Sequence, residues 1–472
     1  MTNSARTPNG RGARIERPLL IPALLAALGI LTPYPSAAQA PTYETIHSFQ
    51  GSPDGADPKG ALVIGANGVI YGTTFAGGAS VLGTVFEMTK PTGEPWKETV
   101  LHSFSGSDGQ YPQSALVLGS TGVLYGVTIG GGGGAGAVFE LAPPSATGGA
   151  WTETVLYTYP FGRDSQNQAP NGPPVIGPGG TMYVTTQGAP AGGVGAYLGT
   201  IDAVVPPATT GAPWTEDVLY TFGTGGVLGA TTGAQPVAGM VSEGGSLFGT
   251  AEYGGDQGCF ASFGCGTVYQ LTPSTTHGGA WTETTIHVFG ETSGDGNLLE
   301  ATLTIGPGGA LYGTTYYGGT GVCYTIAGTL TSGCGTVFQL TPPPTSGGTW
   351  TYSVIYNFTG ADGDGAAPLA GVVVSSNGAV YGTTASAGSA ASTSACPASY
   401  YVIGGCGIVF ELTPPSSPGG AWKETVLHAF SGQDGDGAIP VAGLALSSTG
   451  VLYGTTSAGG TAGKGTVFAI AP

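Results

Sequence analysis

Histidine, carboxylate and cysteine are the residues of this 472-residue chain that could act on a substrate or hold a metal. His47, His102, His287 and His428 stand in one recurring position, which Tyr157, Tyr220 and Tyr356 fill in the other copies. General acid–base work needs a group that titrates near neutrality. A position that accepts tyrosine in three of seven copies reads as packing. His277 has no evident partner. Glu87, Glu140 and Glu411 share a position with Gln270 and Gln339, and glutamine cannot exchange a proton, so that position is structural too. No Ser-His-Asp order, phosphate loop or metal-ligand cluster stands out, and no catalytic residue is named. Glu243 and Glu300 are the acids nearest the inner strands.

Acidic turns remain. Asp54, Asp108, Asp295, Asp362 with Asp364, and Asp434 with Asp436 each precede a new copy. The last two sets read Asp-Gly-Asp-Gly, half of a calcium loop, whereas calcium takes about 6–8 oxygens. Asx turns closed by glycine account for the same pattern. Calcium through Asp362, Asp364, Asp434 and Asp436 stays as the second reading, and no other cofactor is called for.

Six cysteines fall in three close pairs, Cys259 with Cys265, Cys323 with Cys334, and Cys396 with Cys406. Each pair occupies the same place in its copy. Local disulfides formed after export are the reading, since a zinc site would draw four ligands from different copies.

The elements that must position these residues are set by a repeat. A tyrosine recurs at 71, 125, 183, 312, 381 and 453, with Phe248 in the same slot. Around it runs the phrase Leu-Tyr-Gly-Thr-Thr, then Gly-Gly, then Gly-Thr-Val-Phe-Gln-Leu, then a tryptophan opening an aromatic run. Periods between 54 and 72 residues fit a propeller blade better than a solenoid coil. Each copy divides into four strand-like runs, in the fifth Ala301–Ile305 (A), Leu311–Thr315 (B), Thr336–Leu340 (C) and Trp350–Phe358 (D). Glycine and proline, 90 and 35 in number, punctuate these runs at fixed offsets. Residues 43–49 are a D run with no A, B or C before it, and the chain ends in a C run at 465–470. The expected fold is therefore all-β: a seven-bladed β-propeller of four antiparallel strands per blade. Its last blade, 441–472, is closed by the N-terminal strand 43–49, which removes an open sheet edge. Tryptophans 96, 151, 214, 281, 350 and 422 are expected to pack between neighbouring sheets. The third copy carries Asp202 where the others have an aromatic and Arg163-Asp164 in its preceding connection, read as drift.

In such a blade the B–C loop and the D–A connection emerge on one face. The acidic turns and the cysteine loops then share a rim, elaborated in blades 4 to 6. Tyr253, Phe260, Phe263, Tyr316, Tyr317, Tyr324, Tyr400 and Tyr401 lie there. Aromatic faces beside carboxylates and amides suit sugar rings, whereas the same tyrosines packed on each other beneath the loops would be scaffold.

Residues 1–38 read as a signal peptide: four arginines, an apolar stretch from Leu19 to Leu31 and a small-residue cleavage site ending at Ala38. That leaves 39–472 as a single propeller with no membrane span, placed outside the cell or in the periplasm. Without residues 1–38 the chain carries 6 Lys+Arg against 26 Asp+Glu, a net charge of −20. Such a surface repels a polyanion, which excludes nucleic acid as a partner. The repeated phrase resembles the extracellular gloeo/verruco, or GloVer, tandem repeat, and its order of runs is similar to kelch propellers. The resemblance covers the whole chain after residue 38 and implies a secreted or surface-held bacterial protein, without catalytic residues. Relatives carry varied C-terminal anchors; this chain ends inside its last blade. The reading is a monomeric secreted or cell-surface binding module, leaning away from an enzyme. Its partner is a glycan or surface protein, met through Tyr316, Tyr317, Tyr324, Tyr400, Tyr401, Phe260 and Phe263. The other classes are a propeller enzyme resembling a polysaccharide or cyclic-ester lyase, and a purely structural envelope protein.

Overall fold

Alternation decides how deep each strand lies. In the computed structural model, every residue of Leu311–Thr315 is buried, whereas Thr351–Asn357 alternates exposed and half-buried positions in its first half. A strand covered on both faces reads as continuously apolar or small, and an outer strand alternates. Seven antiparallel sheets of this kind form the ring, ordered A-B-C-D from the axis outward. The structure describes residues 40–471 apart from 147, 162–168, 189–198, 224–231, 256–258, 260–263, 275–279, 291–293, 325–329, 332, 346, 389–395, 397–403 and 418. The segment read as a signal peptide and Arg163-Asp164 lie outside these.

The circle closes as the two chain ends predict. Strand Thr42–Ser48 pairs with Thr466–Ala471 in the register Thr42↔Ala471 to Ser48↔Thr466 and supplies the outer strand of the last blade. Inner strands are shorter than expected: only Thr304–Ile305 of the fifth A run is laddered. The preceding residues of each A run face the axis.

Each residue of the Gly-Thr-Thr phrase has its own task. The glycine sits directly across from the aromatic of strand C, Gly313↔Phe338 in the fifth blade. A Cβ on Gly313 would lie 2.4 Å from the ring of Phe338, so only glycine lets the ring lie over the backbone. The first threonine reaches the next blade, as Thr314 Oγ1 donates to the Ala370 carbonyl at 2.9 Å. The second bonds within its own sheet, Thr315 to Thr336 at 2.8 Å. The tryptophans pack between sheets: Trp151 meets Tyr71 of the preceding blade with centroids 5.9 Å apart, and Trp350 meets Phe248 at 5.8 Å.

The two connections predicted to share a rim are hydrogen-bonded to each other. Gly296–Asn297 of a D–A connection pairs with Tyr317–Gly318 after strand B, and Gly365–Ala366 pairs with Ser386–Ala387 likewise. The disulfides Cys259–Cys265, Cys323–Cys334 and Cys396–Cys406 are formed, with Cα atoms 5.1 to 5.3 Å apart. Closing such loops stabilises by roughly 2–3 kcal/mol each on the chain-entropy model. Three disulfides point to an extracellular or periplasmic setting. Among the described residues no helix is long and apolar enough to cross a membrane.

Candidate functional site at the channel mouth

The A runs of the blades enclose a cavity of about 450 Å³ on the ring axis. One position per blade begins its wall: Lys59, Gln113, Asn171, Val237, Glu300, Leu369 and Val441. These residues follow the D–A connections, so they stand at the mouth on the elaborated rim. Polar side chains occupy blades 1, 2, 3 and 5, and apolar ones occupy blades 4, 6 and 7. Lys59 and Glu300 are the only charged groups among the described wall residues.

The polar arc is internally bonded. Gln113 Nε2 donates to Asn171 Oδ1 at 2.6 Å, and Asn171 Nδ2 donates to Gln187 Oε1 at 3.3 Å. The Lys59 ammonium lies 3.7 Å from the centre of the Phe75 ring and 3.2 Å from Asp57. Glu300 is exposed to the water of the channel. The surrounding walls nevertheless screen it from bulk solvent, and this, with the charge of Glu252 second, pushes its carboxyl up to about 7. Burial also raises Glu252, partly offset by a hydrogen bond with Tyr253. The A runs alone place no second acid at the axis; the second carboxylate, whose charge bears on Glu300, is that of Glu252. The partner comes from the residue after the Gly-Thr-Thr phrase, a position held by Phe75, Ile129, Gln187, Glu252, Tyr316, Ala385 and Ser457. Aligning that position across copies would have found it. Glu243 lies exposed at the end of strand Val241–Glu243, away from this pair.

Of the tyrosines read from the sequence as a sugar-binding patch, Tyr316 does not face solvent. It is 3% exposed and packs on Tyr317, centroids 4.2 Å apart, because its position turns it into the core between blades 5 and 6. Tyr317 and Tyr253 are half-buried against the same cluster. Tyr324 lies in the short strand Cys323–Tyr324. Phe260, Phe263, Tyr400 and Tyr401 lie outside the described residues.

The acidic turns and the histidine position, read separately in the sequence, form one constellation. His47 Nε2 lies 3.2 Å from Asp54, His102 3.0 Å from Asp108, and His428 3.2 Å from Asp436. His287 stands 3.6 Å from Asp295. The aspartates are also Asx-turn acceptors: Asp364 accepts from the N–H groups of Thr359 and Gly365 at 2.7 Å each, and Asp436 from those of Ser431 and Gly437 at 2.8 Å. Asp362 and Asp434 stand exposed at φ 53°, so turn chemistry accounts for both Asp-Gly-Asp-Gly runs. Burial would raise the Asp54 and Asp436 carboxyls, but hydrogen bonds from His47, His428 and backbone N–H groups outweigh it and hold both below the usual range. The next blade contributes a third group to each seam. Burial first, then the facing aspartate, pushes Glu98, Glu153 and Glu424 up to about 7.

A pH dependence of stability follows. Glu300 and Glu424 keep in the fold a proton that the unfolded chain releases near its ordinary value of 4.5. The folded state binds more protons between those limits, so stability falls as pH rises from 4.5 to about 7. Urea midpoints measured across this window should decline, and should decline less steeply in the double variant Glu300→Gln/Glu424→Gln. A midpoint rising through the window would contradict it.

No curated protein matches the chain in sequence. Among solved structures it is similar to a PQQ-bound aldose sugar dehydrogenase from Streptomyces coelicolor, at 12% identity and TM-score 0.42, over 91% of this chain and 98% of that one. An ulvan lyase is similar at 10% identity and TM-score 0.47, over 90% and 94%. An inulosucrase from Halalkalicoccus jeotgali is similar at 14% identity and TM-score 0.35, over 66% and 92%. The Gloeobacter/Verrucomicrobia repeat model matches residues 29–263, and the same phrase continues through the remaining blades to the C-terminus. With its repeats folded as the blades of a seven-bladed propeller, the chain belongs to the Gloeobacter/Verrucomicrobia repeat family.

Proposed function

We propose that this chain is an exported binding module whose channel mouth takes the end of a glycan. One observation carries the reading: the cavity is rimmed by Lys59, Gln113 and Asn171 on one side and by Val237, Leu369 and Val441 on the other, with Glu300 set between Val237 and Leu369. A pyranose has the same division, with hydroxyls around its edge and C–H groups on its face. Gln113, Asn171 and Glu300 offer donors and acceptors to hydroxyls, and the aliphatic wall takes the apolar face. Calorimetric titration with neutral oligosaccharides is the test. Binding that weakens about tenfold or more in Gln113→Ala and in Asn171→Ala supports the reading. A chain that binds no oligosaccharide, or variants that bind as the parent does, defeats it. Tyr317→Ala and Tyr400→Ala in the same assay measure what the loops of blades 4 to 6 add.

A second reading is favoured by Glu252 and Glu300. A carboxyl that holds its proton near neutrality beside a second carboxylate is the equipment of acid–base cleavage of a sugar chain. In that case Glu300→Gln keeps binding and abolishes product release from the same oligosaccharide. A parent chain that binds but releases no product leaves the binding module.

A further inference from the structure

The seven seams between blades each bring together three positions: a histidine or tyrosine on strand D, the turn aspartate where one is described, and a glutamate or tyrosine on strand D of the next blade. In five seams a phenol takes part. Tyr157 donates to Glu216 at 3.0 Å and Tyr352 to Asp295 at 2.5 Å. Tyr220 bonds Glu283, Tyr356 bonds Asp364, and Tyr43 stacks on His428 at 3.6 Å and bonds Asp436. The hydroxyl supplies a hydrogen-bond donor beside the carboxylates of the seam.

Two seams have no tyrosine. His47, Asp54 and Glu98 meet between the last blade and the first, and His102, Asp108 and Glu153 meet between the first and second. In each set one nitrogen or oxygen per residue lies within 4.8 Å of the others. Glu98 Oε1 and Glu153 Oε1 are sealed from solvent and have no hydrogen-bond partner among the described residues. Two carboxyl groups and an imidazole then face a common centre, joined by the His–Asp hydrogen bond, while the inward glutamate oxygen has no partner among the described residues.

We propose that each of these two seams binds one divalent transition-metal ion, with zinc as the best-matched species. A dication balances the two carboxylates in the place the phenol hydroxyl fills elsewhere. One imidazole nitrogen with two carboxylate oxygens is a donor set for zinc or manganese, whereas calcium takes about 6–8 oxygens. His47 and Asp54 donor atoms lie 3.2 Å apart, and those of His102 and Asp108 lie 3.0 Å apart. Neighbouring ligands around one ion at about 2.1 Å have such separations. The aspartates are already oriented from behind: Asp54 accepts from the N–H groups of Gln50 and Gly55, and Asp108 from that of Ser105. Outer hydrogen bonds of this kind fix the ligands of metal sites. The first site has a structural consequence, since it ties strand Thr42–Ser48 to the first blade across the point of closure.

The test uses the full exported chain without a polyhistidine tag, stripped with chelator and titrated with zinc chloride. Two ions per chain by calorimetry and elemental analysis, with a melting temperature raised by zinc and unmoved by calcium, are expected. His47→Gln and His102→Gln should each lower the stoichiometry to one, and the double variant to zero. Glutamine retains a hydrogen bond to the aspartate, so a merely structural role would cost little stability and leave zinc binding alone. If His47→Gln fails to fold, His102→Gln still decides the second site. Absence of stoichiometric zinc, a metal-independent melting temperature, or equal binding by the double variant overturns the proposal.

Discussion

A chain lacking residues 1–51 is expected to lose its cooperative unfolding transition. The missing strand makes the whole outer ladder of the last blade, from Thr42↔Ala471 to Ser48↔Thr466. Behind it stands Phe49, fully buried, its ring 5.2 Å from Phe86 of the first blade, while its N–H donates to the Gly465 carbonyl. Ile46 is buried in the same cluster, and Tyr43 stacks on His428. Losing one buried phenylalanine costs about 3–5 kcal/mol, and a domain has only about 5–15 kcal/mol in total. The exposed edge of Thr466–Ala471 would then be free to pair with another chain. Circular dichroism melts and light scattering read both effects. A permuted chain offers the control: residues 41–51 joined after Ala471 through a copy of the blade-6 turn Pro414–Trp422. It should restore a sharp transition, because it recreates the connection that every other C and D strand already has. A truncated chain that melts as the parent does would show that ring closure does not depend on this strand.

The fold was legible because its instructions are repeated, and repetition lets one copy correct another. The glycines mark places where a ring covers the backbone, and the orphan D and C runs at the two ends state the closure outright. The channel mouth is written in a position without a consensus: Lys, Gln, Asn, Val, Glu, Leu, Val. Reading for shared residues passes over such a position, although a site on a pseudo-symmetric ring must break the symmetry to recognise an asymmetric ligand. The seam constellation was hidden for another reason. His47 and Asp54 belong to one copy and Glu98 to the next, so their meeting depends on how adjacent blades pack, which the spacing within a copy does not report. Tyr316 shows the converse. Its neighbours suggested a displayed aromatic patch, but its position after strand B points it inward in this blade.

Blade 3 gives the second large effect, and its divergence from the repeat is compensated rather than neutral. At six seams an aromatic from strand D lies against an aromatic of strand C in the next blade, as Phe104 does on Phe139 and Phe289 on Phe338, both at 5.2 Å. At the remaining seam the pair is Tyr159 and Asp202, both buried. Burial first and the Asp202 carboxylate second push the Tyr159 phenol far up, so its proton stays on the hydroxyl that faces the acid. Across the ladder from Asp202 stands Val184, where the aligned residue of every other blade is glycine under a ring. The valine fills the volume that the absent ring leaves. Three substitutions thus form one exchange, and undoing them singly should be costly. Asp202→Phe alone drives a ring into the Val184 side chain, where even a lone Cβ in the sister blades would stand about 2.4–2.6 Å from it, and overpacking of this kind costs on the order of 3 kcal/mol. Tyr159→Phe alone removes the hydroxyl from a buried carboxylate, at a cost also on the order of 3 kcal/mol. The triple variant Tyr159→Phe/Val184→Gly/Asp202→Phe rebuilds the arrangement of the other blades and should return to within about 1 kcal/mol of the parent, a large favourable coupling between contacting sites. Urea denaturation of the three proteins measures that coupling. An Asp202→Phe chain as stable as the parent, or a triple variant no better than Asp202→Phe, would mean that blade 3 has drifted without compensation.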